Sequence, residues 1–118
     1  MEKKSISERD LVFFVLSGKK KFPAEKLEKE VYKASKDFSI PERKNHRSYI
    51  REVIEELVSI GLLNEIDEKS GKERNKYYNL TKGGEKVYHH IFLKLMKNAD
   101  DNLHRRLDEF FQYIIYEQ

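Results

Sequence analysis

The chain has 118 residues, 38% hydrophobic and 38% charged, with 24 Lys/Arg against 21 Asp/Glu, a net charge of +3 and no cysteine. That length suits one domain with one modest core; the missing thiols exclude disulfides and thiolate metal sites. No apolar run approaches the ~20 residues needed to cross a bilayer, and the usual signal-peptide order is absent, so a soluble cytoplasmic protein without membrane contact is expected.

Met1 to Ile6 reads as a frayed basic arm. Ser7 is a suitable N-cap, and acidic Glu8 and Asp10 suit a helix N-terminus, so a first helix is predicted over residues 8–16. It is apolar on nearly all sides from Leu11 onward and should be the buried central helix, stopped by Gly18. Lys19, Lys20 and Lys21 form a solvated basic turn. Phe22-Pro23 then opens a second helix, because proline is favoured at a first helical position. It runs to about Phe38 with Leu27, Val31 and Ala34 inward. Ser39-Ile40-Pro41 breaks it, since proline disfavours helix in the residue before it.

A third helix begins between Glu42 and His46. Ile50, Val53, Ile54, Leu57 and Val58 follow the i, i+3, i+4, i+7, i+8 spacing of a helix with one buried face, and Gly61 ends it. Its start is basic: Arg43, Lys44, His46, Arg47 and Arg51, uninterrupted by acid, with Arg47, Ser48 and Arg51 exposed in the first two turns. Two strand-like runs, 62–67 and 76–81, flank a charged loop, 68–75, that contains Gly71. Helix, glycine stop and basic hairpin follow the order of a winged helix-turn-helix. In that arrangement Arg43, Lys44, His46, Arg47, Ser48 and Arg51 would meet the major groove and phosphates of double-stranded DNA. Lys72, Arg74 and Lys76 would act from the wing. Two other readings stand beside it. In the first, the lysines of the turn serve only to protect a strand edge; in the second, Glu52, Glu55 and Glu56 dilute the basic face as a protein-binding module would require.

Thr81 caps a last helical region whose apolar stripe keeps phase almost to the end. At the weak spot, residues 98–102, the chain either breaks with Asp100 or Asp101 as a new cap or continues as one long helix, and the stripe that keeps phase across it favours continuity or a gentle kink. The charge changes sign here: residues 1–97 carry 22 Lys/Arg and 16 Asp/Glu, residues 98–118 two and five. A helix leaving the wing end of a small domain has little of that domain to cover it, and a large apolar side chain is worth about 1.5–3 kcal/mol when buried. The tail either folds back on its own domain or pairs with the same tail of a second chain, and a homodimer is the one expected, with Ile91, Leu95, Ala99, Leu103, Leu107, Phe110 and Ile114 in the interface. The expected fold class is mainly α with a small β-hairpin. A winged-helix DNA-binding domain would span residues 1–81, and a C-terminal helical dimerisation region residues 82–118.

Leu62-Leu63, a polar turn and then Arg74-Asn75-Lys76-Tyr77-Tyr78-Asn79-Leu80-Thr81-Lys82-Gly83-Gly84 resemble the wing and following turn of PadR-type winged-helix regulators. Tyr49 in the third helix sits where that family often has tyrosine. The motif covers residues 49–84, and MarR-type regulators share much of it. The basic layout with one terminal helix also resembles the bacterial replication terminator protein. The resemblance implies a dimeric, sequence-specific DNA-binding protein, a transcriptional repressor in the first instance, with replication-termination or plasmid-partition control as the alternative.

Catalytic signatures are missing. There is no Gly-rich phosphate loop, nucleophile elbow or His-Glu-x-x-His. His89 and His90 are adjacent, so on a helix they point about 100° apart and do not chelate one ion from one face. No enzyme activity, cofactor or metal is expected.

Overall fold

The computed structural model describes residues 6–116, without the side chains of residues 98 and 114–116. The expected basic arm at residues 1–5 lies outside the described residues, as does the side chain of Ile114. The elements in order are α1 (Glu8–Leu16), β1 (Phe22–Pro23), α2 (Ala24–Asp37), α3 (His46–Ser59), β2 (Leu63–Ser70), β3 (Glu73–Leu80), α4 (Lys82–Asn98) and α5 (Asp101–Tyr116).

A reciprocal cap fixes the start of α1. The Ser7 hydroxyl accepts from the Asp10 N–H at 3.3 Å, and the Asp10 carboxylate accepts from the Ser7 N–H at 3.0 Å. From Leu11 to Leu16 every residue of α1 is buried, so this helix is the centre of the core. Phe22-Pro23 departs from expectation. Rather than opening α2, it forms a short strand against β3, with Phe22 opposite Tyr78 and Pro23 opposite Tyr77. The sheet is therefore three-stranded, in the order β1-β3-β2. An edge position tolerates proline because one side of the strand needs no N–H donor.

The α3 helix ends in a Schellman motif. Gly61 takes φ +84°, its N–H donates to Val58 O at 3.1 Å, and the Leu62 N–H donates to Leu57 O at 3.0 Å. The chain then enters a hairpin longer than the sequence suggested. β2 and β3 stay in register from Leu63 opposite Leu80 to Ser70 opposite Glu73, leaving only Gly71 and Lys72 as the loop. Gly71 has φ +65°, as the first position of a type II′ turn requires. The charged run that reads as loop joins the ladder because the ladder uses backbone groups, leaving its side chains in water. Lys69 stands opposite Arg74, two like charges that concentrate positive potential near the tip.

The last region is two helices, not one. Ala99 is extended (φ −78°, ψ 140°), and the Asp100 carboxylate accepts from the Leu103 N–H at 2.8 Å, starting α5 afresh. A side-chain acceptor that satisfies a free helical N–H favours this new start over continuity. The α5 helix then turns back onto its own chain. The Phe111 ring meets Phe14 at 5.3 Å and Phe92 at 5.6 Å, and Phe110 meets Phe38 at 5.4 Å, all edge-on. The premise that the domain has little surface left to cover its tail is corrected by this packing. Leu95 and Leu107, expected at a subunit interface, lie in the chain's own core. Residues on both sides of the expected 81/82 boundary share that core.

Candidate nucleic-acid interface

The α3 helix is presented by α1 and α2, and its basic start is held by a carboxylate from each. No acid occupies its first turn, and Asn45 precedes it in the left-handed conformation without a side-chain cap. Positive side chains there face the positive end of the helix dipole, an unfavourable arrangement unless negative charge is supplied from elsewhere. Glu8 of α1 supplies part of it. This carboxylate is buried, and its Oε2 takes His46 Nε2 at 2.9 Å and Arg43 Nη2 at 3.2 Å. Glu28 of α2 supplies the rest. Its Oε1 takes Arg51 Nη2 at 2.9 Å, and its Oε2 takes Arg47 Nη2 at 3.1 Å.

The loop ahead of α3 is fastened too. The Tyr32 hydroxyl donates to Glu42, and that hydrogen bond holds the Glu42 carboxyl below the usual carboxylate range. The Arg43 guanidinium lies 3.7 Å from the centre of the Tyr49 ring, a stacked cation–π contact.

These contacts divide the expected residues. Lys44, Arg47, Ser48 and Arg51 are exposed. Arg43 is exposed but engaged by Glu8 and Tyr49. His46 is a correction: it is only 4% exposed and its ring meets Tyr32 edge-on at 5.4 Å, so it faces the core. With a carboxylate beside it, Nε2 carries the proton and donates. Its Nδ1 has no hydrogen-bond partner among the described residues. Of the acids that follow, Glu56 is drawn to Arg9 of α1 at 3.4 Å, and Glu52 and Glu55 are exposed.

On the wing, Lys72 and Arg74 are exposed at the tip. Lys76 is tied to Glu65 at 3.0 Å, and that hydrogen bond raises the lysine above its ordinary pKa. Lys21, from the basic turn, pairs with Glu68 and lies 5.0 Å from the centre of the Tyr77 ring. It fastens the approach to β1 onto the hairpin. Sequence reasoning missed Glu8 and Glu28, the two acids that organise this face. Glu8 reads only as an acid at a helix start and Glu28 as an ordinary surface acid, since the pairings span 19 to 38 residues of sequence.

Other surfaces carry less chemistry. A cleft of about 430 Å³ between α2 and α5, lined by Lys33, Phe38, Arg106, Phe110 and Tyr113 among others, contains none of the expected DNA-binding residues. Among the described residues no group of three or more His, Cys, Asp or Glu side chains is placed to hold a metal ion. Nor is any of the described helices long and apolar enough to cross a membrane.

No protein-family model and no curated protein sequence matches the chain. Solved structures do. A PadR family transcription regulator from Clostridium difficile R20291 is 17% identical, with a TM-score of 0.54 over 88% of this chain and 98% of its own. The smu.1704 protein of Streptococcus mutans UA159 is 18% identical, with a TM-score of 0.57 over 80% and 84%. TM0937, a conserved protein of unknown function and potential transcriptional factor, is 19% identical, with a TM-score of 0.57 over 93% and 99%. The chain thus has the winged helix-turn-helix fold, with two following helices, that a PadR family transcription regulator adopts.

Proposed function

We propose that this protein is a double-stranded-DNA-binding transcriptional regulator of the PadR type, acting as a homodimeric repressor on a palindromic site. The observation that carries the reading is the exposed, acid-free start of α3, with Arg47, Ser48 and Arg51 in its first two turns. Recognition helices of this fold place such residues against base edges and phosphates. Lys44 ahead of the helix and Lys72 and Arg74 at the wing tip add phosphate contacts beside it. The dimer rests on a smaller surface than the sequence suggested: Leu93 of α4 is 66% exposed, and Ile91, Ala99, Leu103 and Phe110 are half-buried. No cofactor, metal or catalytic step enters this reading.

The test is selection of duplexes from a random library by the purified protein, followed by binding measurements on the selected and on scrambled DNA. Enrichment of a palindrome is expected, with half-sites about one helical turn apart. Arg47→Ala should weaken the selected duplex far more than the scrambled one. Arg74→Ala should weaken both alike and flatten the salt dependence. Enrichment of direct repeats instead would move the protein to replication or partition control. No enrichment from a folded protein would make it a protein-binding module.

A further inference from the structure

Glu28 is the feature that DNA contact alone does not explain. A face meant only to attract phosphate gains nothing from an acid at its centre. Yet one carboxylate on α2 holds both exposed arginines of α3, each by a single Nη2, with one oxygen for each. Its side chain is 14% exposed, whereas those of Arg47 and Arg51 are 50% and 63% exposed. The acid sits beneath, and the two guanidiniums rise over it. Glu8, at 5% exposure, is sealed below the surface and serves Arg43 and His46 instead.

We propose that Glu28 is a specificity-determining positioning residue of the DNA-binding face. The proposal rests on the reading of α3 as the DNA-contacting helix. Two effects follow from its geometry. First, it presets the rotamers of two long side chains, so less side-chain freedom is lost when their remaining donors meet base-edge acceptors. Second, it cancels one of the two positive charges, which weakens the attraction to phosphates that every duplex offers alike. A guanidinium has five N–H donors, so each arginine keeps donors for a base edge while Glu28 holds the other end. Both effects favour a site that presents acceptors in the right places over a site that presents only charge.

The experiment compares wild type with Glu28→Gln and Glu28→Asp on the library-selected duplex and on a scrambled duplex, across a salt series. Glutamine keeps the size but removes the charge, and its amide nitrogen cannot accept from the second arginine. Random-duplex binding should tighten in Glu28→Gln, and its log–log salt slope should steepen by about 0.9, which is about 3.5-fold more loss between 50 and 200 mM salt. Affinity for the selected duplex should gain less, or fall, so that the ratio of specific to random binding drops several-fold. Glu28→Asp keeps the charge but shortens the reach; it should retain the wild-type slope while losing part of the ratio. An unchanged ratio and slope in Glu28→Gln, with wild type still binding its selected duplex, would overturn the role of Glu28 alone. So would a uniform loss on both duplexes accompanied by a fall in melting temperature, since that is what a purely structural ion pair would give. If wild type binds no duplex at low salt, the DNA-binding reading itself fails and takes this inference with it.

Discussion

The buried contact between Glu8 and His46 shows how one residue can look functional and be structural. His46 sits inside a basic run, and that neighbourhood alone marks it as a DNA contact. Its spacing says otherwise. His46, Ile50, Val53, Ile54 and Leu57 share the buried stripe of α3, and all five are buried. The periodicity that located the helix therefore also carried the information about His46, while the carboxylate that receives it, 38 residues earlier, did not show in any local pattern. Removing that acceptor leaves the His46 N–H buried and unpaired. Glu8→Ala should lower the unfolding free energy by about 1–3 kcal/mol, and Glu8→Gln, which keeps an acceptor oxygen, by less. Urea denaturation measures both. Adding His46→Ala to Glu8→Ala should cost less than the sum of the single changes, because the two side chains serve one contact; strict additivity would show that they do not.

At the scale of elements, the first three helices and the hairpin were legible, whereas the short strand β1 and the break between α4 and α5 were not. A regular apolar stripe announces α2 and α3 and a capped, all-round apolar run announces α1, whereas Phe22-Pro23 is too short to have a period at all. The hairpin was found but drawn short, because its outer half is charged and its pairing is a backbone matter. The turn into α4 has a sharper physical basis than its resemblance to a family motif. Thr81 caps the helix, accepting from the Gly84 N–H at 3.0 Å and donating to Gly61 O at 2.8 Å. That brings α4 against the end of α3, and a Cβ on Gly84 would fall 2.1 Å from Leu62 O. The same carbonyl accepts from the Thr81 N–H at 3.1 Å, so it is not free to retreat. A Cβ on Gly83 would meet nothing nearer than 3.6 Å. Two adjacent glycines should thus respond with opposite signs. Gly84→Ala should destabilise by about 1–3 kcal/mol through overpacking, and Gly83→Ala should stabilise by about 0.5–1 kcal/mol through helix propensity. Thermal or urea unfolding of the two variants decides it; similar losses at both positions would mean that backbone freedom, not close approach, is what the pair provides.

The whole molecule is one core with a basic end. The central helix α1 is covered by α2 and α3 from one part of the chain and by α4 and α5 from another, with Phe14 touching both Tyr88 and Phe111. The return of α5 could not be read from its apolar stripe, since a stripe needs cover but does not name it. Asp100, the side chain that caps the new helix, was legible as a candidate cap, but an apolar stripe that keeps phase across residues 98–102 favoured continuity over the break. The basic face is what this core holds out: Lys44, Arg47, Ser48 and Arg51 from α3 and its approach, Lys72 and Arg74 from the wing. The proposal that this face meets DNA is tested most directly by amide NMR spectra of the isotope-labelled protein during titration with a short duplex at low salt. Shifts should gather at residues 44–51 and at the wing tip around Lys72 and Arg74, and they should weaken as salt is added. Shifts gathered instead at the cleft between α2 and α5, or none at any duplex concentration, would contradict the account.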